Sequence, residues 1–281
     1  NCILKVPTSS GANNSVAGLV GLTLAGKSNV INRNSFIGGN YGIYYEGIAA
    51  LDLSKDHVID SNVVTSPYYM GIYTNFTSRL KMTRNIVSLA APNNTTAYGI
   101  NCKDADTAFL FKGNNVTLNA TVGTAYGIYL NGCDGKNTER GTIANNKVFA
   151  DASNTSTLYG LAFQGSGYNN VVNNVINIST SGATSYGLYS NSDYQNNYYN
   201  NTVSSNATSA TNNVAAYFSH FSSGTGRVNI RNNIFAHYGG GVAMQMTNSN
   251  FIYCDYNMYY SSGGSLIRGT GTTTYPRSEE H

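Results

Sequence analysis

The densest group of chemically capable side chains is Lys55-Asp56-His57 with Asp60, followed closely by Arg79, Lys81 and Arg84. On an unbroken strand Asp56 and Asp60 share one face, because side chains alternate along extended backbone. Carboxylates beside cations provide for cation ligation, charge-assisted anion binding and proton transfer. A second group is aromatic. Of 281 residues, 23 are tyrosine, a ring with an apolar face and a hydrogen-bonding hydroxyl that suits it to carry a sugar ring. Other reactive types are poorly placed. Cys2, Cys102, Cys133 and Cys254 lie far apart with no CxxC pair, which argues against a thiolate metal site and leaves a structural disulfide open. His220 and His237 have no acid nearby in sequence and read as turn or surface residues. Asp104 with Asp106, and Asp134 with Glu139 and Arg140, read as separate loop residues.

Composition excludes several classes of protein. Charged residues make up 10% of the chain, against a typical ~25%. The chain carries 40 Asn and 30 Gly but only 4 Pro and no Trp. Hydrophobic residues at 41% support a core, and plentiful aromatic and β-branched residues disfavour disorder. No apolar run approaches the ~20 residues of a membrane span. The net charge of +3 is scattered without blocks, so no nucleic-acid footprint is present. The start at Asn1, with no signal segment before it, reads as a piece of a longer chain. Low Lys and Glu with abundant Asn, Ser, Thr and Gly suits a secreted or cell-surface bacterial protein.

The elements that position these groups are set by repetition. One motif recurs as Tyr41-Gly-Ile-Tyr44, Met70-Gly-Ile-Tyr73, Tyr98-Gly-Ile-Asn101, Tyr126-Gly-Ile-Tyr129, Tyr159-Gly-Leu-Ala162 and Tyr186-Gly-Leu-Tyr189. Degenerate copies centre on Ala215 and Ala243, and a weak first copy runs from Gly21 to Leu24. Successive copies stand 27 to 33 residues apart. Between them an Asn precedes an apolar strand segment, at Asn34, Asn62, Asn85, Asn115, Asn146, Asn174, Asn201, Asn233 and Asn257. Helical periodicity is absent. A strand unit of ~28 residues buries its apolar face only by stacking on copies of itself. The sequence therefore predicts an all-β, right-handed parallel β-helix of about nine coils over residues 18–268. An irregular lead over 1–17 and a polar tail over 269–281 flank it. Propeller blades need ~40–50 residues and are excluded by unit length.

The Gly-Ile-Tyr and Asn-Asn-Val or Asn-Asn-Ile copies, with Arg231–Phe235 and Cys254–Tyr260, resemble the parallel β-helix repeat family of the pectate-lyase-like superfold. The resemblance implies two functions for this fold. One is a surface module that binds an extended polysaccharide without a cofactor. The alternative is a polysaccharide lyase acting on a uronate-containing polymer. In that case Asp56 and Asp60 would hold Ca²⁺, Lys81 or Arg84 would act as base, and Arg79 would bind substrate carboxylate. The paired-acid signatures of the polygalacturonase branch are absent, which favours binding over catalysis.

Strict alternation assigns the faces. Ile43, Ile72, Ile100, Ile128, Leu161 and Leu188 form the interior column with Tyr41 beside Ile43, while Gly42 and Tyr44 point outward. The outer face then carries a glycine column beside Tyr44, Tyr73, Asn101, Tyr129, Ala162, Tyr189 and Tyr217. Tyr44, Tyr73, Tyr129, Tyr189 and Tyr217, with Arg79 on the flank, are the expected polysaccharide contacts. The Asn ladder is expected to be structural, with side-chain amides satisfying backbone groups at the corners.

Overall fold

The computed structural model describes residues 2–6, 20–21, 27–47, 53–89, 96–119, 123–151, 157–182, 184–207, 212–220, 227–247, 252–263, 265–269 and 274–275. The weak copy over 22–24 and most of the predicted lead and tail lie outside the described residues. Every element is a strand, and the strands stack into three sheets of 10, 9 and 12 members. Pairing is parallel throughout these stacks, except where Ile267–Arg268 meets Thr274–Tyr275. One turn runs through Lys81–Thr83, Ile86–Leu89 and Thr96–Asp106. The next repeats it in register, with Val116 beside Val87 and Ile128 beside Ile100. The body is a parallel solenoid of about seven turns, fewer than the nine coils expected. Among the described residues the widest sheet runs from Val20–Gly21 to Ile267–Arg268 and Thr274–Tyr275. Ile3–Val6 pairs with Ser35–Gly38.

Turn chemistry explains the corners. Asn145, Asn173, Asn200 and Asn232 all have φ near +56°, a left-handed conformation that asparagine tolerates better than most residues. Each is followed by an inward asparagine, and these form a continuous ladder from Asn34 to Asn257. At Asn146 the pattern is complete. Its Oδ1 accepts from the backbone N–H and Nδ2 of Asn114, both at 2.9 Å. Its Nδ2 donates to the Phe111 carbonyl and to Asn174 Oδ1, both at 3.0 Å. The amide thus satisfies backbone groups that the bend removes from the sheet. One expected member is displaced by a residue: Asn114 occupies the ladder, and Asn115 begins the following strand. A run of consecutive asparagines makes the two indistinguishable by pattern.

The interior is filled by stacked aliphatic and aromatic side chains such as Val87, Phe111, Ile128, Leu130 and Phe163, all fully buried. Here the structure overturns the face assignment. In Thr124–Asn131 the half-buried positions are Thr124, Tyr126, Tyr129 and Asn131, while Ala125, Gly127, Ile128 and Leu130 are buried. Alternation skips one step at Gly-Ile, so Gly127 and Ile128 both face inward and both tyrosines face out. The glycine column is therefore interior, and Tyr41, expected inside, stands outside next to Tyr44. The reason is steric. A Cβ on Gly127 would overlap Val148 Cγ1 and the Gly160 carbonyl oxygen, and Gly71, Gly99 and Gly160 meet Val87, Val116 and Ile176 in the same way. Glycine lets this sheet approach the valine column of its neighbour. Gly127→Ala is expected to lower stability by about 2–3 kcal/mol through overpacking, measured as a lower urea midpoint at unchanged m.

None of the four cysteines is in a disulfide, so the bridge left open by the sequence is not formed. His237 is fully buried, not a surface residue. Its Nδ1 accepts the Gly241 N–H at 2.9 Å and that of Gly239 at 3.3 Å, fastening a glycine-rich turn. The described residues include no helix long and apolar enough to cross a membrane. The side chain of His220 lies outside the described residues.

Candidate functional site

The skipped step in Tyr-Gly-Ile-Tyr gives the widest sheet an exterior with two aromatic files. Tyr98, Tyr126, Tyr159 and Tyr186 stack with centroids 4.9, 4.6 and 5.2 Å apart and planes within 20°. Beside them stand Tyr44 and Tyr73, 4.8 Å apart, then Tyr129, then Tyr189 and Tyr217, 5.1 Å apart. Rings also touch across the files, as Tyr126 and Tyr129 do at 4.9 Å. A third outward column is rich in amides. Asn75, Lys103, Asn131, Gln164 and Asn191 pair in register from turn to turn, and Asn191 Nδ2 donates to Gln164 Oε1 at 3.0 Å.

The second file contains all five expected tyrosines, each half-buried with part of its ring in solvent. The first file was expected inside because strict alternation sends residues three apart to opposite faces. The signal that could have found it is the Gly-Ile pair, two consecutive non-polar residues in the middle of a half-exposed strand. Stacking has an electrostatic consequence as well. Burial against neighbouring rings, then the neighbouring phenols, push the Tyr98 and Tyr159 hydroxyls up to about 12. They therefore remain protonated donors across the physiological range.

The two files are interrupted once with effect. Met70 stands in the first file where neighbouring turns have tyrosine, and Asn101 stands in the second one turn later. The missing rings leave a depression of about 350 Å³. The other interruption, Ala162, leaves no such opening: Tyr159 lies edge-on against Tyr189 at 5.1 Å across it, and Ala162 is fully buried.

The charged cluster expected to act in a lyase is drawn together but pairs off internally. Both oxygens of Asp56 accept from Arg79, through Nε and Nη2 at 2.7 Å each. Asp60 accepts from Thr83 Oγ1, from Ser61 Oγ at 3.1 Å and from Arg84 Nη2 at 2.7 Å. The Arg79 hydrogen bond holds the Asp56 carboxyl below its usual range. The Asp60 carboxyl is also lowered: burial raises it, and its hydrogen bonds from Thr83, Arg84 and Ser61 outweigh that. Each carboxylate oxygen thus already holds a donor, and these residues do not fit a Ca²⁺ site. Among the described residues, no group of three or more His, Cys, Asp and Glu is arranged to hold a metal. Arg79 is committed to Asp56, while Lys81 stands exposed at the start of its strand.

Asp106 and Asp134, which read in sequence as separate loop residues, sit at paired positions on adjacent turns. Burial, then Asp134 and Asp104, raise the Asp106 carboxyl. Burial also raises Asp134, which accepts the Gly167 N–H at 2.7 Å.

No family model matches the chain, and no curated protein matches it. Among solved structures the chain is similar to the tailspike gp42 of Acinetobacter phage vb_AbaP_AS12. The identity is 12% and the TM-score 0.20, over 92% of this chain and 57% of that one. The chain thus spans little more than half the length of that tailspike, and so shallow a likeness transfers neither fold detail nor activity.

Proposed function

We propose that this solenoid is a secreted or cell-surface module that binds an extended polysaccharide along its tyrosine sheet. The observation that carries this reading is the double file of half-exposed rings with an amide column alongside. Ring faces offer apolar surface to a sugar, and tyrosine hydroxyls and amides offer hydrogen bonds at its edge. Mutual stacking accounts for the order of the rings but not for leaving so much aromatic surface in contiguous contact with water. The geometry favours binding over β-elimination, because the acids and arginines of the Asp56 cluster neutralise one another.

The test is retention on a glycan array. Tyr126→Ala combined with Tyr129→Ala removes two adjoining rings from the middle of the face, and is expected to weaken binding at least tenfold, or about 1.4 kcal/mol. Far-ultraviolet circular dichroism should stay that of the wild type. The pair Tyr44→Ala and Tyr73→Ala is expected to act in the same direction. Unchanged retention in both double variants would remove the face from consideration. Appearance of unsaturated product absorbance on incubation with uronate polymers and Ca²⁺ would replace binding with a lyase.

A further inference from the structure

The interruption at Met70 and Asn101 is chemically distinct from the rest of the face. Asn101 takes the outward register position between Tyr73 and Tyr129, yet it is only 4% exposed. Its Nδ2 finds the thioether of Met70 at 3.6 Å. Its Oδ1 is buried and has no hydrogen-bond partner. A buried acceptor left unmade costs stability, and a turn of the Asn101 side chain, which lines the open depression, would bring Oδ1 to a ligand. The walls are the rings of Tyr73, Tyr98 and Tyr129 with Met70, and Lys103 stands at the rim. No described residue hydrogen-bonds or ion-pairs with the Lys103 ammonium. Glu46, two turns away in the same column as Lys103, is engaged by Tyr44 and Asn75.

Resting on the polysaccharide-binding reading, we infer that this depression is a subsite for an N-acetylated sugar residue. An acetamido group supplies what the site lacks. Its N–H donates to Asn101 Oδ1, its methyl fills the apolar slot between Met70 and Tyr98, and its carbonyl accepts from Lys103 or from Asn131, which also borders the opening. A sugar hydroxyl would satisfy Oδ1 alone and leave water against the thioether and the rings. The stacked rings elsewhere on the face take sugar rings without regard to this substituent.

Chitotetraose and cellotetraose share a backbone and differ in the acetamido groups, so titration calorimetry with the pair isolates the subsite. The wild type is expected to bind chitotetraose at least tenfold more tightly. Asn101→Tyr restores the missing ring at a register position where both neighbours are tyrosine. It is expected to abolish the preference while holding or raising cellotetraose affinity. Asn101→Ala, which keeps the space and removes the acceptor, is expected to reduce the preference and serves if the tyrosine variant folds poorly. Tyr186→Ala with Tyr189→Ala, turns away from the depression, is expected to weaken both sugars equally. Equal binding of the two sugars by the wild type, or a preference that survives in both Asn101 variants, overturns the subsite and leaves the face reading intact. Binding of neither sugar overturns both.

Discussion

Asp193→Asn is expected to stabilise the protein by about 4 kcal/mol at pH 7, and by more at higher pH. Asp193 is fully buried at a solenoid corner. Its Oδ1 accepts the Ser166 N–H at 2.8 Å, and its Oδ2 accepts from Ser190 Oγ at 2.8 Å and from Tyr198 at 3.4 Å. These bonds favour the ionised form, but burial outweighs them, and the carboxyl is pushed up from 3.8 to about 8. The folded state therefore holds a proton that the unfolded chain releases above pH 3.8. This contribution is fully present below that value and is lost as pH rises to about 8. Asparagine keeps the acceptor for Ser166 and can donate to Ser190 without ionising.

His237 acts with the opposite sign. Burial lowers it from 6.5 to about 4, so the unfolded chain takes a proton below pH 6.5 that the folded state refuses. Its contribution is present above 6.5 and lost as pH falls towards 4, by about 3 kcal/mol. The two slopes cancel between pH 4 and 6.5. Above 6.5 Asp193 acts without that opposition. Urea titrations should then show a nearly flat midpoint from pH 4 to 6.5 and a fall of about 2 kcal/mol between 6.5 and 8. Asp193→Asn should remove most of that fall. A variant whose pH profile matches the wild type would show that Asp193 ionises normally in the fold.

Asn146→Ala is the second large effect, a loss of about 3–4 kcal/mol. The substitution deletes four hydrogen bonds at the middle of the ladder and strands the buried Asn114 N–H. Asn146→Asp should cost more than alanine at neutral pH. It keeps the acceptor towards Asn114 but turns a second oxygen onto the Phe111 carbonyl and Asn174 Oδ1, where the amide had donated. Thermal or urea unfolding of both variants checks the order. Alanine as the worse of the two would mean that packing volume, not the amide's donor and acceptor sides, holds the corner.

Repetition alone determined the solenoid. The spacing of the Gly-Ile-Tyr copies, the apolar column led by Ile43 and the ladder from Asn34 to Asn257 depend on local turn chemistry and on stacking like upon like, and both are written at fixed intervals along the chain. The tertiary structure decided which way the rings face. A Gly-Ile pair marks where alternation can skip a step, but not that it does. The skip follows from how closely the neighbouring valine column approaches, a contact between different sheets of the solenoid. The same holds for charge and cavity. Asp56 finds Arg79, Asp106 lies beside Asp134, and Met70 and Asn101 combine into one opening only after residues some 23 to 31 positions apart are laid on adjacent turns. Distances between turns are set by winding, and no linear pattern of residue types records them.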